Sequence, residues 1–349
     1  MIIRTLSLKN FRNHSYLSYD FSPNLNILTG QNAAGKTNVV EAIYYLSLAR
    51  SFRTSEDVDL IQRGKDAAEI NAVTEEGELK RKIRVVITEN SKQIFINGKK
   101  ISKISELSKC MNVILFEPKD VMLFRGSPKA RRNFLDISLS KQSQPYLDYI
   151  TRYNKVLRDR NELLKGDNVD PVLLETTTEM LAKLSGPIVS YRQMYVKDIN
   201  DILIKITRAL TGEEGKLEII YKPFVEYGKE FQKNALEAFK KAEERDLRAK
   251  ATTLGIHRED FSVSLNGRDI GQFGSQGENR IVSLALKLAP YFLIEDKDKR
   301  PVVVLDDVMS ELDLSHRQRL IRFVKKFGQV FITATKLEVE GAAQYTIKK

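Results

Sequence analysis

Eight residues near the N-terminus restrict this chain more than any other feature. Gly30-Gln31-Asn32-Ala33-Ala34-Gly35-Lys36-Thr37 matches G-x-x-x-x-G-K-[ST]. The glycines let the backbone curl so that successive N–H groups point inward at phosphate oxygens. A helix starting at the lysine adds its positive end. Lys36 is expected to reach the β- and γ-phosphates of a nucleotide, and the Thr37 hydroxyl to bind Mg²⁺. The whole loop, with Asn38 after it, is the candidate cradle. Its flanks agree. Leu25 to Leu28 reads as a short apolar strand, and Val39, Val40, Ile43, Leu46 and Leu48 give residues 36–49 a helical pattern.

Such a loop needs a second metal carboxylate at the end of a neighbouring strand. Val302-Val303-Val304-Leu305-Asp306-Asp307 supplies it. An all-apolar strand suits the centre of a parallel sheet. It carries Asp306 to the C-terminal edge, where open α/β sheets bind ligands. Asp306 is the metal-side candidate, and Asp307 is placed to orient the attacking water. Two acids capping a surface loop is the alternative for this pair.

Lys36 and Asp306 lie 270 residues apart. A compact nucleotide-binding domain does not need that much chain between its two phosphate-site strands, so the interval holds an insertion. Residues 68–75, 79–88 and 92–96 look like strands, with a turn at Asn97-Gly98. From Pro128 to Lys250 glycine is scarce and charges interleave with apolar residues at helical intervals. Breaks are expected at 166–171, at Gly186-Pro187 and at 212–215, a strand at 217–221 and a helix at 231–251. Strand–helix alternation then resumes: strand 261–265, helix 278–294, strand 302–305, helix 316–327, strand 330–333. The expected fold is α/β, a mixed sheet with the phosphate-loop helix plus an inserted, mainly helical lobe. Residues 1–125 and 251–349 would form one discontinuous head, and 126–250 the insertion.

The 349 residues carry 57 Lys and Arg against 46 Asp and Glu, a net +11. That excess favours a polyanionic partner. It concentrates at 121–165, where ten basic residues meet four acids. Arg125, Lys129, Arg131 and Arg132 lead into the first inserted helix. Arg152, Lys155 and Arg158 recur every three residues on the next. A basic stripe of this kind suits DNA phosphates without reading sequence. A solvated helix face is the alternative, and Arg131 and Arg132 also fit contacts inside the fold. The lone cysteine, Cys110, excludes an intramolecular disulfide framework. The N-terminus lacks a secretory apolar run, and Val282 to Ile294 is too short to span a bilayer. A cytoplasmic location is expected.

Before the Asp-Asp strand stands Gly274-Ser275-Gln276-Gly277-Glu278. Ser275 and Glu278 fit a capping box. The small residues also leave a helix start open to an anion. With the phosphate loop and Asp306-Asp307 followed by Ser310-Glu311-Leu312-Asp313, this order resembles the ATP-binding-cassette ATPase heads of the SMC class. Within that class the chain resembles the RecF family of bacterial recombination mediators. Leu8 to Asn13, Arg50 to Thr54, Phe116 to Asp120, Gly126 to Pro128, Arg131 to Asp136 and Gly255 to Asp260 carry the resemblance. It implies that Arg12 and Asn13 lie close to the nucleotide. It also implies that Ser275, Gln276 and Gly277 of one subunit meet the ATP held by the other. The activity implied is ATP- and Mg²⁺-dependent homodimerisation that clamps double-stranded DNA or single-strand/double-strand junctions, released by weak DNA-dependent hydrolysis. RecR and RecO are the implied partners, in gap repair and recombinase loading. Glu278, Ile256 and Asp307 depart from related patterns, which carry Gln, Pro and, in SMC heads, Glu. Thr335 is a candidate for the γ-phosphate sensor. A DNA-binding protein with vestigial hydrolysis and a cassette ATPase of another cellular role are the competing readings.

Overall fold

A computed structural model describes residues 1–123, 125–310 and 312–348. Glu311 of the Ser310–Asp313 segment lies outside the described residues. In chain order the strands and helices are β1 (Ile2–Phe11), β2 (His14–Asp20), β3 (Leu25–Thr29), α1 (Lys36–Leu48), β4 (Ala67–Glu76), β5 (Leu79–Thr88), β6 (Lys92–Ile96), β7 (Lys99–Lys100), α2 (Ile104–Cys110), β8 (Val113–Phe116), α3 (Pro128–Gln142), α4 (Gln144–Lys165), α5 (Pro171–Thr211), β9 (Leu217–Lys222), α6 (Phe231–Ala249), β10 (Asp260–Leu265), β11 (Arg268–Asp269), α7 (Ile270–Phe273), α8 (Gln276–Leu288), β12 (Val302–Leu305), α9 (Leu314–Val324), β13 (Val330–Ala334) and β14 (Ala343–Thr346).

The chain divides into two compact units. One comprises Met1–Val121, Ile206–Glu213 and Ser283–Lys349, and the other Met122–Lys205 and Glu214–Val282. The first unit holds two sheets. Antiparallel β2-β1-β4-β5-β6-β7 is the larger. Parallel β14-β3-β13-β12-β8 is the smaller, and every pair in it is parallel. Its centre is apolar on both faces, as parallel strands require: Val302 to Leu305 are all fully buried. The antiparallel sheet alternates instead. Ile70 and Ala72 of β4 and Ile83, Val85 and Ile87 of β5 point inward, with Glu69, Asn71, Lys82 and Arg84 among the neighbours on the other face. Those inward residues join Val40, Ile43 and Leu46 of α1 and Val302, Val304 and Phe331 in one core.

The second unit is built on α3 to α6 and the three-stranded sheet β11-β10-β9. Gly186-Pro187 does not break the chain: α5 is a single helix of 41 residues with Pro187 inside it. A proline there removes one intrahelical hydrogen bond and costs about 3 kcal/mol. Leu181, Ala182, Ile188 and Val189 are buried on either side of it, and burial at roughly 1.5–3 kcal/mol per large side chain outweighs the break. The helix expected to reach Ile294 ends at Leu288, because Pro290 cannot donate to the preceding turn.

The second unit also buries charge. Arg160 and Asp246, both fully buried, pair at 2.8 Å, and Arg160 also donates to Thr178 and Thr252. Asp246→Ala leaves a guanidinium without its counter-ion in a dry interior. It should lower stability by about 3–5 kcal/mol, read by urea unfolding.

Candidate nucleotide site

The phosphate loop leaves β3 and enters α1. Gly30 and Gly35 have φ of 154° and 107°. A Cβ on Gly30 would sit 2.5 Å from the Ile347 carbonyl, and one on Gly35 would land on the His14 ring. The glycines are therefore required by conformation and by space. His14, 5% exposed, bonds the Gly35 carbonyl through Nε2 at 3.3 Å. Burial holds its imidazole below the usual range, so it buttresses the loop as a neutral ring. Lys36 Nζ donates to the carbonyls of Gly30 (2.7 Å) and Gln31 (3.0 Å), so the ammonium is folded back over the loop.

The two distant motifs meet at the edge of the parallel sheet. β12 pairs β13 and β13 pairs β3, so the ends of all three strands converge. Thr37 Oγ1 donates to Asp306 Oδ1 at 3.3 Å, and Thr333 Oγ1 donates to the same oxygen at 2.7 Å. The Asp307 N–H donates to Thr333 Oγ1 at 2.8 Å. One threonine thus ties both carboxylate residues together. Asp306 is 4% exposed. Burial raises its pKa, the two threonine donors oppose the rise, and Asp307 adds to it. A divalent cation would reverse that balance. The donor set fits Mg²⁺, a hard ion that takes oxygen ligands at about 2.1 Å and therefore spaces neighbouring ligands about 3 Å apart. Thr37 and Asp306 offer such a pair. Asp307 stands exposed at φ 48°.

Arg12 and Asn13 approach the loop from the turn between β1 and β2. Arg12 makes a two-pronged pair with the fully buried Glu41 of α1, at 2.9 and 2.6 Å, and donates to the Asp59 carbonyl. Arg53 and Ser51 also hold Glu41, at 3.2 and 2.5 Å. Arg12 therefore acts on the loop through the helix that the loop begins. Asn13 accepts from Asn38 at 2.6 Å and donates toward the Ala33 and Ala34 carbonyls. Asn32 accepts from Thr335 at 3.4 Å, which puts Thr335 beside the loop. A cavity of about 780 Å³ adjoins them, lined in part by Gly30, Asn32, Thr335, Lys336 and Lys348.

Sequence reasoning missed Thr333, Glu41 and His14. A threonine ending a fully buried strand, and a lone acid among the buried apolar residues of α1, were the available signals.

Ser275, Gln276 and Gly277 lie in the second unit. The capping box forms there: Glu278 N–H donates to Ser275 Oγ at 3.2 Å, and Ser275 N–H to Glu278 Oε2 at 2.8 Å. Arg125 donates to the Gly274 carbonyl, and Asn279 Nδ2 to the Gly274 and Ser275 carbonyls. Arg131 pairs with Asp260 at 2.7 and 2.6 Å, and Arg132 donates to the Glu259 carbonyl at 2.7 Å. These three arginines hold the second unit together. Lys129, Arg152, Lys155 and Arg158 are exposed, without an ion pair among the described residues. Of the three tyrosines on the same helix, Tyr146 and Tyr153 are buried in the core and Tyr149 is half-buried.

Residues 2–348 match the RecF/RecN/SMC N terminal domain family. The chain is 35% identical to the DNA replication and repair protein RecF of Lactobacillus gasseri, covering 97% of this chain and 93% of that one. With the protein of the same name from Clostridium perfringens the identity is 36%, over 97% and 94%. Among solved structures, the recombination mediator protein RecF with ATP, of the RecFOR pathway, superposes with a TM-score of 0.89 at 31% identity, over 99% of this chain and 97% of that one. An Smc head domain from Pyrococcus furiosus, bound to the C-terminal domain of ScpA, shares the fold at a TM-score of 0.58 and 16% identity, over 96% and 89%. No helix among the described residues is long and apolar enough to cross a membrane. Near-complete coverage at this identity, on an SMC-type head, makes the chain a member of the RecF family.

Proposed function

We propose that this chain is an ATP-dependent, DNA-binding recombination mediator whose nucleotide site works as a dimerisation switch. The observation that carries the reading is the hydrogen bond from Thr37 to Asp306, which joins two motifs 269 residues apart into one phosphate-and-metal site. The backbone N–H groups of the loop and Lys36 take the β- and γ-phosphates of ATP. Thr37 and Asp306 hold Mg²⁺, which when bound neutralises phosphate charge. Asp307, exposed beside Asp306, orients the attacking water. Its side chain is one methylene shorter than a glutamate, so turnover is slow. Ser275, Gln276 and Gly277 of a second subunit close the site, and two heads hold duplex DNA or a gap junction until hydrolysis parts them. The RecFOR pathway named for the ATP-bound relative supports RecR and RecO as partners. Sedimentation with and without ATP and Mg²⁺ tests the switch: a monomer in both conditions refutes it.

Asp307→Asn should retain ATP, because Asp306 remains, while slowing hydrolysis and prolonging the dimer. Turnover and sedimentation after ATP addition check this; loss of ATP binding would contradict the division of roles.

Lys129, Arg152, Lys155 and Arg158 are the proposed DNA-binding residues, since Arg125, Arg131 and Arg132 have partners within the fold. Reversing charge at Arg152, Lys155 and Arg158 leaves up to three phosphates without a cation. The salt slope of log affinity should flatten by roughly 0.9 for each phosphate no longer neutralised, equally for all duplex sequences. An unchanged slope in anisotropy titrations would move the DNA path off α4.

A further inference from the structure

The second unit carries a groove of about 570 Å³ that the nucleotide reading does not use. α5 forms its floor around Pro187. Tyr149 of α4, Tyr191 and Met194 of α5, and Tyr227 before α6 also line it. Met194 and Tyr227 stay 61% and 42% exposed. Large apolar groups this open, gathered in one concavity, mark a binding surface more than a packing accident. Lys183 and Lys229 are the charged residues of the lining, and no Asp or Glu is among the described residues that form it; exposed Glu226 and Glu230 adjoin it in sequence.

The floor has a further property. Pro187 has no N–H, so the Lys183 carbonyl, one turn back, lacks its usual intrahelical donor. An acceptor is therefore left on a helix segment that lines the groove. Around it lie phenol rings, a flexible thioether and two ammonium groups.

We propose that this groove docks an extended acidic segment of a partner protein, with one aromatic or aliphatic side chain seated among the tyrosines and Met194. Its carboxylates meet Lys183 and Lys229, and its backbone N–H groups offer a donor to the Lys183 carbonyl. Charge decides the sign of the partner: a basic segment would meet two cations and no acid within the lining. A nucleic-acid single strand fits less well. Two lysines neutralise few phosphates, and a phosphodiester chain has no backbone N–H for the carbonyl. The proposal does not depend on ATP or on dimerisation.

Random peptides displayed on phage are panned against the full chain, and the recovered peptide is labelled for anisotropy. The expected consensus is Asp/Glu-rich around one apolar residue. Binding should weaken by about tenfold or more in Lys183→Glu/Lys229→Glu and in Met194→Glu, all surface changes, with ATP affinity intact. A basic consensus, no consensus, or a peptide indifferent to these substitutions overturns the proposal. So does a labelled oligo-dT that binds in a Lys183- and Lys229-dependent way where no peptide does, which would make the groove a single-strand site. A shift in self-association caused by Met194→Glu, without any peptide binding, would overturn it too and assign the face to a second copy of the chain.

Discussion

Lys36→Ala should cut ATP affinity by at least about 100-fold and abolish ATP-dependent DNA binding. The lysine ammonium is the loop's cation, here donating to the Gly30 and Gln31 carbonyls. Turning it onto two phosphate oxygens makes charge-assisted hydrogen bonds worth roughly 1.5–3 kcal/mol each, and two of them reach the 100-fold mark. Alanine keeps the helix and its backbone N–H groups, so the fold should survive. Calorimetric titration with ATP, and DNA binding with and without ATP, are the measurements. Unchanged nucleotide affinity would detach Lys36 from the phosphates. His14 and Glu41 hold the loop from outside, so a general collapse should not confuse the result.

Ser275→Arg should leave ATP binding intact and eliminate ATP-driven dimerisation. Ser275 caps α8 through its reciprocal bonds with Glu278. Cap loss alone costs about 0.5–2 kcal/mol of stability, which shifts a melting curve and little else. If Ser275 also meets ATP held by the other subunit, the arginine adds bulk and charge to the seam. Dimerisation and hydrolysis should then fail together, while each subunit still binds ATP through its own Gly30–Thr37 loop. A mixture with Lys36→Ala separates the cases. One composite site carries both lesions, the other is whole, and some turnover should return. Normal ATP-driven dimers of Ser275→Arg would leave the residue as a cap alone.

The site was more legible than the framework that holds it. The phosphate loop and the Asp306 strand are short motifs whose chemistry dictates residue type, and the two came together. Strands β4, β5, β6, β12 and β13 followed from alternation or continuous apolar runs. His14–Asp20, Val113–Phe116 and Ala343–Thr346 escaped notice because their pattern has meaning only beside a partner. β8 is four residues long, and its register with β12 comes from a strand nearly two hundred positions away. α5 shows the opposite error. Local preference at Gly186-Pro187 favoured a break, and buried residues on both sides overrode it. The basic run at 121–165 was visible as charge. Nothing in one sequence says that Arg131 faces Asp260, 129 residues on, while Arg152 faces solvent.

The order β14-β3-β13-β12-β8 sets a timetable for synthesis. β3 leaves the ribosome early, yet both of its neighbours, β13 and β14, are among the last segments made. At about 5–20 residues per second, β3 waits roughly 15–60 s for them. During that interval the N–H and C=O groups along its two edges have no strand partners, and pairings this distant form slowly even when both strands are present. A nascent chain that lacks β13 and β14 therefore has no completed parallel sheet. Completion of the parallel sheet, and with it of the edge that carries the phosphate loop and Asp306, thus waits for the last segments of the chain.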